Sequence, residues 1–178
     1  MAFAPLTTER LTLRAMVAAD AEPLAARRSD PDTAAFQAWT IPYPPERARD
    51  LVAAVAGMDG PTRGEWFQVA IVESASGHSI GDVAVHLSDN GHIAQIGYTL
   101  NPSARGRGFA TEAAAAMVDH LVTEVGVHRL EAETDPAPLP GTARARSVTT
   151  APRANRASAP QQWLDRVRRT AAYCSRPA

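Results

Sequence analysis

Lysine is absent from this chain, and cysteine is almost absent. All 18 cationic residues are arginine, which together with abundant alanine indicates a GC-rich coding sequence. Cys174 is the single cysteine, so no internal disulfide can form and an oxidising compartment gains no support. No run approaches the roughly 18 consecutive apolar residues of a membrane span, and residues 1–6 lack the pattern of a signal peptide. We therefore expect a cytoplasmic protein with no membrane partner.

Negative charge dominates the first three quarters of the chain and positive charge dominates the rest. Residues 1–136 carry 10 Arg against 18 Asp and Glu, whereas residues 137–178 carry 8 Arg against Asp165 alone. The acidic balance of the longer segment argues against a broad basic surface for nucleic acid. The basic segment leaves two interpretations open, a solvated tail and an arm that binds the phosphates of DNA or RNA.

The hydrophobic pattern predicts an α+β domain over residues 1–136. Asp20 is expected to cap the first helix, with Arg27 and Arg28 at its carbonyl end. The last strand–helix–strand unit is predicted to be a βαβ crossover that follows an antiparallel meander. In chain order, the pattern predicts a strand over 8–16, helices over 21–28 and 45–58, strands over 66–73, 80–87 and 93–100, a helix over 111–125 and a strand over 127–134.

A glycine-rich loop lies where the third meander strand gives way to the long helix. Gly106 and Gly108 permit dihedrals that turn successive amide N–H groups toward one point, next to the positive end of a helix. Arg105 and Arg107 can add full charges at the rim of such an anion site. The same residues are also compatible with a plain tight loop or an RNA-binding Arg-Gly fragment, and their spacing is not that of a dinucleotide-binding Rossmann motif.

The residues around this loop resemble a known family. The stretches IGYTLNP at 96–102 and RGRGFATEA at 105–113 are similar to the GNAT superfamily of N-acetyltransferases. TERLTLR at 8–14 and GDVAVHL at 81–87 are similar to its RimJ/RimL-like branch, typified by ribosomal-protein N-terminal acetyltransferases. The resemblance covers roughly residues 6–136. It implies a GNAT-like mixed, mainly antiparallel sheet with flanking helices and a βαβ cofactor-binding unit.

The resemblance also implies a reaction. Acetyl-CoA would serve as cosubstrate, and an amine, either a protein N-terminus or a small molecule, would attack its thioester directly without an acyl-enzyme. The acceptor itself and the oligomeric state, a homodimer included, are left open. The implied cofactor-binding residues are Tyr98, Thr99, Leu100, Arg105, Gly106, Arg107, Gly108, Phe109, Ala110 and Thr111.

The catalytic base is not evident from the sequence. Many relatives carry Glu just before the Ile-Gly-Tyr motif, but this chain has Gln95, which cannot accept a proton. His86 and Glu133 are the candidate catalytic residues, and Asp135 is a further alternative; each can equally be structural. No metal site is predicted. Four apolar side chains are candidates either for an acceptor pocket or for the core, namely Phe36, Trp39, Ile41 and Tyr43.

Residues 137–178 depart from the family. The Asn-x-x-Ser motif, a helix and two strands that normally follow are missing from Ala137 onward, so we expect residues 1–136 to be a GNAT domain incomplete at its C-terminal end. The Arg/Ala/Pro-rich tail is expected to be largely irregular, with a short helix over 161–173. A reading-frame change near codon 136 is one hypothesis for its origin. The functional alternatives are a catalytically impaired acyl-CoA-binding protein and nucleic-acid binding through the tail.

Overall fold

The structure, a computed structural model, describes residues 3–34, 37 and 39–133, together with the backbone of residues 146–149. Its helices are α1 (Ala21–Ser29), α2 (Pro31–Ala34), α3 (Pro45–Ala56) and α4 (Phe109–His120). Its strands are β1 (Leu6–Thr7), β2 (Leu11–Ala15), β3 (Trp66–Glu73), β4 (Ser79–Leu87), β5 (Ile93–Leu100), β6 (Arg129–Glu133) and β7 (Arg146–Thr149). The predictions for β3 and β5 are confirmed to the residue.

Within the described part of the chain, the seven strands form one sheet whose spatial order follows the chain from β1 to β7. All neighbours are antiparallel except β5 and β6, which are parallel. Parallel neighbours need a crossover connection, and α4 supplies it. The predicted βαβ unit and the mixed, mainly antiparallel sheet are therefore confirmed.

Two apolar clusters hold helices against opposite faces of the sheet. The α4 face buries Phe67, Val83, Ile96 and Met117, and full burial of such side chains contributes about 1.5–3 kcal/mol each. The second cluster joins α1 and α3 to the other face; its buried members are Met16, Ala21, Leu24, Ala25, Tyr43, Ala48, Val52, Val55 and Ala70.

Helix α4 begins two residues earlier than predicted and ends differently. Residues Leu121–Val125, expected as its last turns, form a π-helical turn. Gly126 closes this turn in the left-handed conformation (φ 82°), with its N–H bonded to the Leu121 carbonyl. Such a wider turn is rare, and periodicity alone did not indicate it.

Asp20 and the pair Arg27 and Arg28 lie at the two ends of α1 as predicted, but the side-chain cap predicted for Asp20 is absent. The Asp20 carboxylate accepts hydrogen bonds from the Val17 N–H at 2.8 Å and from Arg14 at 2.7 and 3.0 Å, and it makes no cap bond to α1. Arg27 and Arg28 are buried, because partners inside the fold outweigh the helix dipole. The Arg28 guanidinium donates to Tyr43 Oη at 2.9 Å.

The tail contributes a strand that was not predicted. Arg146–Thr149 pairs antiparallel with β6, in a register that sets Glu133 opposite Arg146. The short helix predicted over 161–173 lies outside the described residues. Within the described part, no helix is long and apolar enough to cross a membrane.

Candidate functional site

The glycine loop has the backbone conformation that its sequence predicts. Gly106 and Gly108 both adopt positive φ, 73° and 81°, which residues with side chains rarely reach. Gly108 is the N-cap of α4, and the first intrahelical bond runs from the Glu112 N–H to the Gly108 carbonyl at 3.1 Å. The N–H groups of the three residues before Glu112 therefore lie in the first turn, where no intrahelical carbonyl is available. Such amides, together with the positive end of a helix, are groups that can donate to an anion.

Arg10 holds this loop from the side of β2, a contact that the sequence did not reveal. Its Nη1 donates to the Arg107 carbonyl at 3.0 Å, and its guanidinium lies 4.7 Å from the centre of the Phe109 ring. Its Nε donates to Glu112 at 2.7 Å. The predicted strand over 8–16 begins only at Leu11, because Thr8 to Arg10 form a turn whose polar groups face the loop.

Glu112 is the acceptor at the centre of this contact. Its Oε1 accepts from Thr8 Oγ1 at 2.6 Å and from the Arg10 backbone N–H at 2.9 Å. Burial alone would raise the pKa of the Glu112 carboxyl, but the hydrogen bonds from Thr8 and Arg10 and the charge of Arg10 outweigh it. The pKa of Glu112 therefore lies below its ordinary value, and the carboxylate is ionised at neutral pH.

The two arginines of the loop are engaged within the protein. Arg105 Nη2 donates to Thr33 Oγ1 at 2.5 Å and lies 3.6 Å from the Asp30 carboxylate, which ties the loop to α2 and the residue before it. Arg107 pairs with Glu73 at 3.0 Å and covers the Phe109 ring at 4.5 Å. The Arg107 side chain is 55% exposed, so it can still approach a ligand at the rim.

Strand β5 runs on toward the loop beyond its last described pair with β6. The described pairing with β6 reaches Ile96 and Ala132, and pairing with β4 continues to Leu100 opposite Gly81. The three residues predicted to bind pantetheine, Tyr98, Thr99 and Leu100, lie on this stretch.

A row of four side chains crosses the sheet at the middle of β5. The register pairs Trp66 with His86, His86 with Gln95, and Gln95 with Glu131; we call these four residues the polar row. The neighbours of His86 and Gln95 along their strands belong to the α4 cluster, so the polar row lies on the opposite face. The His86 and Trp66 rings are 5.2 Å apart. The side chain of Glu133 lies outside the described residues.

Two small residues next to the polar row leave a recess in this face. Ala84 and Gly97 are cross-strand partners, one position further along the same face from His86 and Gln95. A Cβ placed on Gly97 would meet no atom within 4 Å, and its φ is not positive. The backbone therefore does not require glycine at this position, and the missing side chain instead leaves space.

A buried ionic network bounds the recess on its other side. The Arg27 guanidinium donates to Asp82 Oδ1 at 3.0 and 2.5 Å and to Asn101 Oδ1 at 3.2 Å, and Gln68 also donates to Asp82. The side chains of Arg27 and Asp82 are only 2% and 3% exposed. This network connects α1, β3 and β4 to the residue that follows β5. The one sequence signal for this network was Asp82, a carboxylate among the mostly apolar residues of β4.

The aromatic candidates for an acceptor pocket belong largely to the core. Trp39 donates from Nε1 to the Arg28 carbonyl at 2.9 Å, and Tyr43 is buried in the α1–α3 cluster. Ile41 is 45% exposed. Phe36 lies outside the described residues.

Comparison with known proteins agrees with this architecture. The chain is 32% identical over 137 residues to "Uncharacterized N-acetyltransferase p20" of Bacillus licheniformis, covering 76% of this chain and 75% of the relative. A GNAT-family acetyltransferase structure from Bacillus anthracis superposes with a TM-score of 0.63 at 24% identity, covering 75% of each chain. A "putative ribosomal-protein-serine acetyltransferase" from Vibrio cholerae gives 0.59 at 21%, covering 77% of this chain and 78% of that one.

The curled mixed sheet and its flanking helices define the acetyltransferase fold of the GNAT type. A family model described as the acetyltransferase (GNAT) domain matches residues 10–139. The chain therefore belongs to the GNAT acetyltransferase family. The match ends at residue 139, three residues beyond Pro136.

Proposed function

We propose that this protein is an acetyl-CoA-dependent N-acetyltransferase that acetylates an amine by direct attack. One observation carries the proposal: β5, with Tyr98, Thr99 and Leu100 at its end, leads directly into the Gly106–Gly108 loop and the N-terminus of α4. An extended strand edge offers main-chain partners to the amide groups of pantetheine, and the loop offers N–H groups to a pyrophosphate. Both parts of the cosubstrate thus have a chemically matched surface in the right order.

Each part of the cosubstrate would meet different residues. Main-chain groups of Tyr98, Thr99 and Leu100 would bind the pantetheine arm. The pyrophosphate would lie at the loop, with the exposed Arg107 able to approach it; Arg105 would act through its tie to Thr33. The loop and first-turn residues proposed to bind it are Gly106, Arg107, Gly108, Phe109, Ala110 and Thr111.

His86 is the proposed base. The amine nitrogen attacks the thioester carbonyl carbon, the carbon–sulfur bond breaks, and the thiolate leaves with the electron pair. The proton lost by the amine passes to the His86 imidazole, directly or through one water, because His86 is the cross-strand neighbour of Gln95 and an imidazole is a common general base. Glu133 is the second candidate, since it follows the last β6 residue paired with β5.

We further propose that the acceptor amine occupies the recess over Ala84 and Gly97. Along β5, Gly97 lies between Gln95 of the polar row and Tyr98. A protein N-terminus is the preferred acceptor class, because the opening TERLTLR motif is similar to the RimJ/RimL-like branch and a structural relative carries a ribosomal-protein acetyltransferase name. The cytoplasm is the proposed compartment for such substrates, in keeping with a single cysteine.

Release of free CoA from acetyl-CoA tests the activity. The full chain is assayed with a panel of N-terminal peptides and small amines, and at least one acceptor is expected to give turnover above hydrolysis. The alternative is a catalytically impaired acyl-CoA-binding protein, which Gln95 and the departure after residue 136 favour. In that case acetyl-CoA raises the Tm of the protein, but no acceptor gives turnover.

We propose that the acetyltransferase domain comprises residues 1–136 and that the basic tail differs from it in origin, although its residues Arg146–Thr149 pair with β6. Sequencing the locus and comparing the reading frame in near relatives tests the frame-change hypothesis; an intact frame encoding the same tail there would contradict it. Salt-dependent binding of DNA or RNA by the full chain would instead support the phosphate-binding interpretation.

A further inference from the structure

Arg10 lies against four residues of the glycine loop and the first turn of α4. It reaches the carbonyl of Arg107, the ring of Phe109 and the carboxylate of Glu112, and its Nη2 lies 3.4 Å from where a Cβ on Gly108 would be. We propose that Arg10 is a positioning residue that pre-organises this loop for the pyrophosphate of acetyl-CoA. This inference rests on the proposed function, because it assigns the loop to that ligand.

The bond to the Arg107 carbonyl sets the direction of the next amide. In a planar trans peptide, the C=O and N–H point in opposite directions. With the Arg107 carbonyl held toward Arg10 at 3.0 Å, the N–H of Gly108 points away from Arg10. It thereby joins the first-turn N–H groups of α4 as a donor to an anion. A freely rotating peptide would present the carbonyl to the phosphate about as readily.

Arg10 also removes an electrostatic obstacle. Glu112 lies in the first turn of α4, so its ionised carboxylate would repel a pyrophosphate bound at the helix end. Arg10 Nη2 pairs with Glu112 at 2.6 Å, and Thr8 satisfies the other oxygen at 2.6 Å. The pair makes the carboxylate an anchor for the loop and leaves the local charge near neutral.

The exposure of Arg10 separates this role from a purely structural one. The Arg10 side chain is 45% exposed, and ion pairs so exposed contribute little to the stability of a fold. The energetic effect of Arg10 is therefore expected in cosubstrate binding. A donor that lacks the pyrophosphate, such as S-acetylpantetheine, should not depend on Arg10 at all.

The test compares wild type, Arg10→Ala, Arg10→Lys and Arg49→Ala in the full chain. Arg49 is an exposed arginine of α3 away from the loop, so its variant matches the lost charge. We expect Arg10→Ala to raise the Kd for CoA about tenfold or more, given the strength of charge-assisted hydrogen bonds. Its kcat/KM with S-acetylpantetheine and its Tm should stay near wild type. Arg10→Lys should restore CoA binding only in part, because an ammonium cannot form the same fork of contacts.

Amide hydrogen exchange of the ligand-free protein supplies a second, independent readout. Arg10→Ala should exchange faster at Gly106–Thr111 and Arg49→Ala should not. The proposal would be overturned if Arg10→Ala lost as much in kcat/KM with S-acetylpantetheine as in affinity for CoA. Unchanged amide exchange in the loop would also overturn it. If wild type binds no CoA while the exchange effect is present, the proposed function fails and the positioning of the loop by Arg10 stands.

Discussion

His86 and Gln95 are direct cross-strand partners in β4 and β5, on the sheet face opposite α4. This pairing places an imidazole beside Gln95, whose amide cannot accept a proton. A general base typically contributes about 10²–10⁴-fold to a rate. Under the proposed function, the proton-accepting group therefore lies on β4.

Replacing His86 tests that assignment. We expect His86→Gln to lower kcat by about 10²-fold or more, with little change in the Kd for acetyl-CoA, because the side chain faces the acceptor side. His78→Gln, in the exposed turn before β4, is the matched control and should retain wild-type rates. Steady-state kinetics at saturating acetyl-CoA measures kcat for both variants. An unchanged kcat in His86→Gln would assign the role of general base to Glu133 instead.

Filling the recess over Gly97 should block the acceptor. Gly97→Val adds atoms where a Cβ meets nothing within 4 Å, so the variant should fold. We expect a higher KM for the amine and an unchanged Kd for CoA, measured by kinetics and calorimetric titration. Gly81→Ala is the contrasting variant, because its Cβ would overlap the Thr99 carbonyl and the Leu100 side chain. That variant should lose stability, and equal acceptor KM values for wild type and Gly97→Val would rule out this location.

Breaking the buried pair between Arg27 and Asp82 should destabilise the fold strongly, whereas replacing both residues with apolar ones should not. Arg27→Met leaves the Asp82 carboxylate buried without its cation, and we expect a loss of about 3–5 kcal/mol in the free energy of unfolding. The double variant Arg27→Met/Asp82→Leu removes both charges and should recover most of that loss. Urea denaturation measures both; additive losses in the double variant would contradict this account.

His120 predicts a specific dependence of stability on pH. Burial, partly offset by the charges of Glu124 and Asp119, lowers the pKa of His120 below its ordinary value of 6.5. The unfolded chain therefore binds a proton at His120 more readily than the folded chain does. The contribution of neutral His120 to stability is fully present above pH 6.5 and is lost as the pH falls toward the lower pKa of the folded state. Wild type should lose more stability than His120→Gln between about pH 7.5 and about pH 5.5. Equal losses in urea titrations would refute the assignment.

The sequence predicted those parts of the fold that depend on local pattern. The hydrophobic runs at β3 and β5 and the two glycines of the loop have signatures that act over a few residues, and the structure agrees with them. It did not predict contacts between distant positions. Arg27 and Arg28 do lie in the last turn of α1, but nothing local indicated the buried partners, more than ten residues away, to which they bond.

The same limit applies to the candidate site. The contact between Arg10 and Glu112 spans 102 residues, and no spacing rule indicates it. His86 could be chosen only by residue type, whereas the register of β4 and β5 supplies its physical neighbour. Long-range pairing is a property of the assembled sheet, so these residues gained their roles only once the strands were in place.

Calorimetric titration of acetyl-CoA into the full chain is the most direct test of the central claim. Wild type is predicted to bind one equivalent. Gly108→Val is predicted to lose most of that affinity, because φ at this position is 81° and a β-branched side chain is strained there. Absence of binding by wild type, or equal affinity in a folded Gly108→Val variant, would contradict the assignment of the loop to the cosubstrate.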